Sequence, residues 1–556
     1  MERLPVSSET ILLVAPEILL VLVGTALYIG GAFSNHRNGW GLLAAGGLVL
    51  AAIALFQQQS LLIVRAGSLE PVQPLNGPLV LDLFAQTLRW FVLGVGILFV
   101  MLSARLSSST LPAEYMGSLL FIIAGLMIIS LAGDLVLMFL GLELVSIPTY
   151  VLLYLGRNDA ASQEATIKYF FLSILASALL LYGFSFLYGI GGSTQLADIH
   201  RAMSGPVGAG PVAVLAKLAV LLVVAGLGFR ITIVPFHFYA PDVYQGTVHP
   251  NAGLLAVVPK IAGLTALLRI VAQAMPGMES LGWMLVVTLA ILTMTLGNVL
   301  ALWQQNIRRM MAYSSIAHAG YMLIGLAVGF AVKGGAEGRS EIDGMGAMMF
   351  YLLVYAIATA GTFAALTSLS DENHQVDRVD ELAGLARTRP RTAAAIAIFM
   401  FSLTGLPLMA GFWGKFFLFT AALGIDPSGQ ALNVGPWRPF LVLAVVGVIN
   451  AAISAAYYLR IVGAMYFRGA PDKLLPIGGH GAAWATLICA ALVLGLGIWP
   501  DAAFNGANRA TESGHSSFAR AGITPPPDSV PPEQAAASGG PLRTAPLAAH
   551  RARSPR

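Results

Sequence analysis

Charge is the scarcest thing in this sequence. Only 10% of its 556 residues are Asp, Glu, Lys or Arg, where a soluble globular chain carries about 25%. So few charges cannot cover a water-facing surface, which excludes a soluble globular protein. Cysteine is nearly missing too: Cys489 stands alone. One thiol leaves no disulfide framework and cannot hold an iron–sulfur cluster, for which four ligands are usual. No G-x-G-x-x-G lies between a strand and a helix, and there is no P-loop. If the chain serves a redox machine, the electrons travel elsewhere.

What the chain has instead is apolar length. It is 57% hydrophobic, with a mean hydropathy of +0.77. Its apolar runs last roughly 18 residues or more, the length of a membrane-spanning helix; a β-barrel would show short alternating segments. The fold class is therefore an all-α polytopic membrane protein. Windows of about 19 residues give 14 spans, near 10–33, 40–56, 79–103, 115–132, 135–155, 165–190, 211–235, 251–273, 280–303, 313–332, 345–369, 392–421, 439–468 and 481–499. The first run, "ETILLVAPEILLVLVGTALYIGGAF", is too long for a signal peptide and lacks a basic leader with a cleavage site, so it reads as a retained helix.

An even count puts both termini on one side. Loops after odd-numbered spans hold more Lys and Arg, among them Arg157, Arg308, Arg309, Arg387, Arg389 and Arg391. The richer set should be cytoplasmic, so both termini are expected to be extracytoplasmic. The tail ending "PPPDSVPPEQAAASGGPLRTAPLAAHRARSPR" is Pro-, Ala- and Ser-rich, and residues 501–556 are expected to be disordered.

Two spans carry helix breakers. The seventh reads "GFRITIVP", with Pro235. The twelfth reads "IAIFMFSLTGLPLMAGFWGKFFLF", with Gly405, Pro407, Gly411 and Gly414. Proline removes a donor and glycine loosens a helix, so the backbone should unwind at both places. Unwound backbone at membrane depth is tolerated only against protein or a wet cavity. The breaks lie five spans apart, which predicts two five-helix repeats, spans 4–8 and 9–13. Because five is odd, the second copy is inverted in the membrane. The predicted division is a three-helix segment (1–110), a first repeat (111–275), a second, inverted repeat (276–470), a last span (471–500) and the tail (501–556).

A charge at the bilayer centre costs about 2.5–3.5 kcal/mol on insertion scales, so an ionisable residue there is a candidate functional site. Four stand out: Glu143 in "FLGLELVSIPTYVL", Arg230 before the first break, Lys260 in "VVPKIAG", and Lys415 after the second break. Burial disfavours the charged form of a lysine or carboxylate, and an opposite charge restores it. A row of such groups can therefore pass a proton as partners move, with coupled occupancies. Lysine suits this and arginine does not, since arginine stays protonated. The competing reading is a set of fixed ion pairs that assist insertion and packing. Glu114 and Lys168 lie near span ends, where long side chains also snorkel to the surface. Asp82 and Arg89 in span 3 are placed to pair with each other. His237, His249 and His318 are candidate proton carriers; no C-x-x-C or H-x-x-x-H spacing points to a metal.

Several stretches together carry a resemblance: "PFHFYAPDVYQG" with "PKIAG", "EATIKYFFLSILASALLLYG", "NIRRMMAYSSIAHAGYMLIG" and "SLTGLPLMAGFWGKF". From about residue 80 to 470 the chain resembles the proton-translocating membrane subunits of NADH:quinone oxidoreductase (respiratory complex I). These in turn are similar to the large subunits of Mrp-type sodium/proton antiporters. The wording "LELVSIPTY", "ASQEATIKYF" and "PDVYQG" resembles subunit N (chain 2) more than the longer subunit L.

The resemblance implies a proton relay of Glu143, Lys260 and Lys415 with His318, tuned by Glu114 and Lys168. Arg230 stands where the family usually has a lysine, and Tyr239 where it often has a tryptophan. The "HFYAPDVYQG" segment, with His237, is expected to be a cytoplasmic turn leading to the helix of Lys260. The resemblance also implies a multi-pass protein of the bacterial inner membrane. It implies other membrane and peripheral subunits as partners, including antiporter-like neighbours. FMN, iron–sulfur clusters, NADH and quinone belong on those partners, with no cofactor or metal on this chain. The alternative is an Mrp-type antiporter subunit without redox coupling.

Overall fold

A computed structural model describes residues 8–34, 39–66, 77–104, 111–157, 159–204, 211–273, 275, 279–333, 342–371, 374–425, 437–469, 476 and 478–523. Thirteen helices in it are long and apolar enough to cross a membrane. Two shorter apolar helices in tandem complete a fourteenth element. In chain order these are α1 (Ala15–Phe33), α2 (Trp40–Ala66), α3 (Leu83–Ser103), α4 (Pro112–Leu131), α5 (Leu135–Gly156) and α6 (Ala160–Gly191). The broken α7 has halves α7a (Pro211–Ile231) and α7b (Ala240–Gly246). Then come α8 (His249–Leu267), α9 (Glu279–Leu302), α10 (Ile307–Lys333) and α11 (Gly344–Ser368). The broken α12 has halves α12a (Pro390–Thr404) and α12b (Ala410–Leu423), and α13 (Trp437–Phe467) and α14 (His480–Ile498) close the set. A helical bundle is what a bilayer permits, because each helix satisfies its own backbone polar groups.

Aspartates start several of these helices. Asp82 accepts from the Ala85 N–H at 2.7 Å, Asp159 from Ser162 at 2.8 Å and Asp343 from Gly346 at 2.8 Å. Each satisfies one of the donors that a helix N-terminus leaves without a partner. The bundle has a clear interior. Every residue of α8 is buried, and α10 and α11 are nearly as enclosed, whereas α1 and α2 are mostly exposed. Glycines let α9 and α10 touch: a Cβ at Gly297 would stand 2.6 Å from Ala317 N, and one at Gly320 2.6 Å from Met294 N. Close backbone contact through small residues is how membrane helices associate without a hydrophobic drive between them.

The two interruptions lie five elements apart, as the sequence predicts, but the first is built differently from its expected form. Helix α7a ends at Ile231, because Thr232 turns to a left-handed backbone (φ 65°). Pro235 lies inside the unwound segment 232–239 and does not end the helix. The segment expected as a turn holds α7b, whose Pro241 occupies the first helical turn, where a missing N–H costs nothing. In α12, Gly405 (φ 91°) closes the first half, and Pro407 lies in the five-residue gap before Ala410.

The tail is a second correction. Asp501–Ile523 is a helix, α15, and not a disordered segment. It lies against the starts of α3 and α11: Ser513 Oγ accepts from the Leu83 N–H at 3.1 Å, and Thr511 donates to Asp343 at 2.9 Å. Phe504 stacks on Phe417 of α12b, ring centres 3.9 Å apart. The proline-rich composition that argues for disorder begins only after this helix, and residues 524–556 lie outside the described part.

Candidate functional site: a buried polar row across the bundle

The row begins between α5 and α7a. Arg230, in the last turn of α7a, meets Glu143 of α5 with Nη2–Oε1 at 3.0 Å. The guanidinium also donates to the Leu142 carbonyl at 3.2 Å, to Ser177 Oγ at 3.3 Å and to Ser146 Oγ. Ser177 in turn donates to Glu143 at 2.6 Å. Arg230 is 4% exposed and Glu143 22%, so the pair is enclosed on the arginine side. The end of α7a also favours a cation, because its last carbonyls carry the negative end of the helix dipole.

Lys260 comes next, wholly buried on α8. Its ammonium donates to Thr232 Oγ1 at 3.0 Å and to Ser315 Oγ of α10 at 2.5 Å, and it lies 5.9 Å from the Tyr355 ring centre. The described contacts of Lys260 are hydroxyls and a ring face, with no carboxylate among them. Ser315 also faces the Tyr244 hydroxyl of α7b at 3.3 Å.

Along α10 the row continues on one helix face. Ser314, His318 and Tyr321 follow one another at i, i+4 and i+7, a spacing that puts side chains in line. His318 sits between two tyrosines, Nδ1 to Tyr351 OH at 2.6 Å and Nε2 to Tyr458 OH at 2.9 Å. Tyr458 OH also meets Ser314 Oγ.

Lys415 closes the row at the second break. Its ammonium donates to the carbonyls of Leu403 and Thr404, each at 2.9 Å, and lies 4.7 Å from the Tyr321 ring centre. A helix end leaves its last carbonyls without partners. In α12a those of Phe401 and Ser402 are taken by the Gly405 N–H and the other two by Lys415.

The structure thus brings together Glu143, Arg230, Lys260, His318 and Lys415. Three other sequence candidates stand apart. Glu114 is in the first turn of α4, beside Gly31 of α1. Lys168 is 39% exposed and pairs with Glu164 at 2.6 Å and Asp242 at 3.0 Å; Asp242 is shared with Arg309 at 2.5 Å. His237 lies in the unwound part of α7, and its Nδ1 is buried without a hydrogen-bond partner. His249, at the start of α8, is buried. Among the described residues, no group of three or more His, Cys, Asp or Glu is placed to hold a metal.

Asp82 and Arg89 do not pair with each other. Arg89 grips Glu17 of α1 at 2.7 and 2.9 Å and Gln58 of α2 at 2.9 Å. Asp82 takes Arg269, just beyond α8, at 2.6 and 2.8 Å. Seven apart on one helix, the two side chains find partners on other helices closer than each other. Sequence reading also misses Thr232, Ser315, Ser146, Ser177, Tyr351 and Tyr458. Only two carried a local signal: Ser146 lies one turn from Glu143, and Ser315 one turn from His318.

A fourteen-element bundle with two broken helices and a row of buried charges between the breaks defines the antiporter-like class of membrane subunits. The family described as NADH:quinone oxidoreductase/Mrp antiporter, transmembrane, matches residues 132–432. The chain is 36% identical over 488 residues to NADH-quinone oxidoreductase subunit N of Sphingopyxis alaskensis, covering 87% of this chain and 94% of that one. It is 34% identical over 508 residues to subunit N of Rhodospirillum rubrum, covering 90% and 96%. Among solved structures it resembles a chain of respiratory complex I from Thermus thermophilus with bound aureothin. That match has a TM-score of 0.69 and 30% identity over 88% of this chain and 98% of that one. The Mrp complex from Dietzia sp. shares the fold, with a TM-score of 0.73 over 93% and 99% of the two chains, at 22% identity. The chain belongs to the subunit N family of NADH-quinone oxidoreductases.

Proposed function

We propose that this chain is a proton-translocating membrane subunit of an NADH:quinone oxidoreductase. Partner subunits carry FMN, iron–sulfur clusters, NADH and quinone, and redox energy released there shifts charge along the row from Glu143 to Lys415. The observation that carries this reading is the succession of buried polar groups along one line of helices: Glu143–Arg230, then Thr232–Lys260–Ser315, then Ser314–Tyr458–His318, then Tyr321–Lys415. Elements 4–8 and 9–13 are read as paired inverted repeats, each with its own break. Both termini face outward from a bacterial inner membrane.

The roles follow from chemistry. Arg230 holds charge and does not release it. While it is bound to Glu143, the two charges largely cancel at a distance. When the pair opens, an uncompensated guanidinium acts on Lys260. At an effective dielectric near 20, two unit charges roughly 10 Å apart interact by about 1.7 kcal/mol, which is more than a tenfold change in proton affinity. Lys260 is the residue to lose its proton, because hydroxyls solvate an ammonium but do not neutralise it. Ser314, Ser315, Tyr458 and His318 give the proton hydrogen-bonded positions toward Lys415. Moving one charge against 100 mV takes about 2.3 kcal/mol, so several such steps must act together.

The test is the assembled complex in proteoliposomes, wild type against Lys260→Ala, with NADH:quinone turnover and proton uptake followed together. Loss of pumping in a complex that still assembles supports the relay. Normal pumping would mean that the buried charges are architectural. The antiporter reading is weaker, because the likeness to the Mrp complex is one of fold alone. Pumping that required sodium would revive it.

A further inference from the structure

We infer that Thr232 is a positioning residue through which the Glu143–Arg230 pair acts on Lys260. The inference rests on the relay reading above and adds to it the part that couples the two sites.

The first observation is backbone geometry. Thr232 has φ 65°, a left-handed conformation that is a genuine outlier for a β-branched residue. Such strain persists only where the surroundings enforce it, and it concentrates at functional sites. Here its effect is specific. The left-handed turn ends α7a and delivers the Thr232 hydroxyl to Lys260 Nζ at 3.0 Å, while the same hydroxyl donates to the Ile231 carbonyl at 2.5 Å. Thr232 and Ser315 supply the hydroxyls that hold the ammonium.

The second observation is mechanical. Thr232 is two residues from Arg230 on one tight turn, closed by Thr232 N–H to Phe229 O at 3.1 Å and Ile233 N–H to Gly228 O at 3.0 Å. The turn is pinned on both sides: by the Arg230 guanidinium to α5, and by the Val234 N–H to Thr293 Oγ1 of α9 at 3.1 Å. It also presses on the helix of Lys260, where a Cβ at Gly263 would stand 2.6 Å from Ile231 Cγ1. Packing this dense transmits displacement without absorbing it. When the guanidinium moves off α5, giving up Glu143 together with Ser146 and the Leu142 carbonyl, one of the two anchors of the turn is released. Thr232 then withdraws from Lys260, and the ammonium loses a hydrogen bond just as it meets the unpaired guanidinium. The contact change and the charge change push the same proton in the same direction.

A purely structural Thr232 would cap the end of α7a and nothing more. Thr232→Val keeps the shape and removes the hydroxyl, and Thr232→Ser keeps the hydroxyl. In the assembled complex in proteoliposomes, Thr232→Val is expected to lower proton uptake per NADH oxidised, and Thr232→Ser to restore most of it. Glu143→Gln, added to Thr232→Val, is expected to cost less than Glu143→Gln costs alone, because the transmitting contact is already gone and only the charge effect remains; independent sites would give multiplied losses. The inference is overturned if Thr232→Val pumps like wild type, if Thr232→Ser fails like Thr232→Val, or if the two losses multiply. Should Thr232→Val not assemble, Thr232→Asn and Thr232→Gly make the same comparison, since both residues accept the left-handed backbone. Asn keeps an acceptor for Lys260 and Gly does not, so Asn pumping above Gly supports the inference and equality overturns it. Normal pumping in Thr232→Val beside a dead Lys260→Ala would remove this inference and leave the relay standing.

Discussion

Asp82 and Arg269, 187 residues apart in the chain, meet through two hydrogen bonds of 2.6 and 2.8 Å with both side chains wholly out of solvent. The pair ties the start of α3 to the end of the Lys260 helix. Arg269 reaches one step further, to the Ser130 carbonyl at the end of α4, at 2.8 Å. Removing one partner of such a pair strands the other charge, at about 3–5 kcal/mol, whereas replacing both with apolar residues costs far less. Asp82→Ala should therefore lower the melting temperature and yield of the complex. Asp82→Leu with Arg269→Met should recover much of the loss, read by thermal unfolding of the purified complex.

Gly405 should not tolerate a side chain. Its φ of 91° disfavours any L-residue, and a Cβ there would stand 3.0 Å from Lys415 Cδ. Gly405→Ala is expected to cost about 1–2 kcal/mol in backbone strain alone and to dislodge the ammonium from the carbonyls of Leu403 and Thr404. Gly463→Ala is the contrasting change. It lies within α13 with nothing within 4 Å of a new Cβ, so it should be neutral or stabilising by up to about 1 kcal/mol. Melting temperature and proton uptake would be compared in the two variants.

His318 can be separated into its hydrogen bonds and its proton. Tyr351 and Tyr458 both bond its ring, and Tyr458 keeps Ser314 as a second partner; a buried hydroxyl left unpaired, as that of Tyr351 would be, costs about 1–3 kcal/mol. His318→Phe should therefore lower both assembly and pumping. His318→Gln keeps polar atoms near both tyrosines but does not carry a proton at neutral pH. It should assemble well and pump poorly; equal pumping by His318→Gln and wild type would show that His318 only packs.

Arg230 tests charge against titration. Arg230→Lys keeps a positive charge facing Glu143 but gives up most of the fan of bonds to Ser146, Ser177 and the Leu142 carbonyl. Arg230→Gln gives up the charge. If residue 230 acts by holding charge, the lysine variant retains pumping, at reduced turnover, and the glutamine variant loses it. Pumping by the glutamine variant at the wild-type ratio to turnover would remove Arg230 from the relay.

Truncation before Asp501 should matter although that segment reads as a tail. It would uncover Phe417, two residues from Lys415, and remove the Thr511 partner of Asp343 and the Ser513 partner of Leu83. Less intact complex is expected, measured by native gel and by turnover in isolated membranes.

Much of this protein is decided along the chain itself. Apolar length forces spanning helices, because the bilayer gives unpaired backbone groups no other partner. Gly405 and Pro407 mark the second break, and the expense of a charge in hydrocarbon singles out Glu143, Arg230, Lys260 and Lys415. Both signals are local, and one residue or one window is enough to read them. Partnership is not local. That Arg89 takes Glu17 and leaves Asp82 to Arg269, that Thr232 bends left-handed beneath Lys260, and that α15 packs on Phe417 all depend on which helices lie side by side. Hydroxyls are the clearest case, since a serine or threonine costs little in any membrane helix and carries no mark of its neighbour. Ser315 and Thr232 became visible as the holders of Lys260 only when α7, α8 and α10 were packed together.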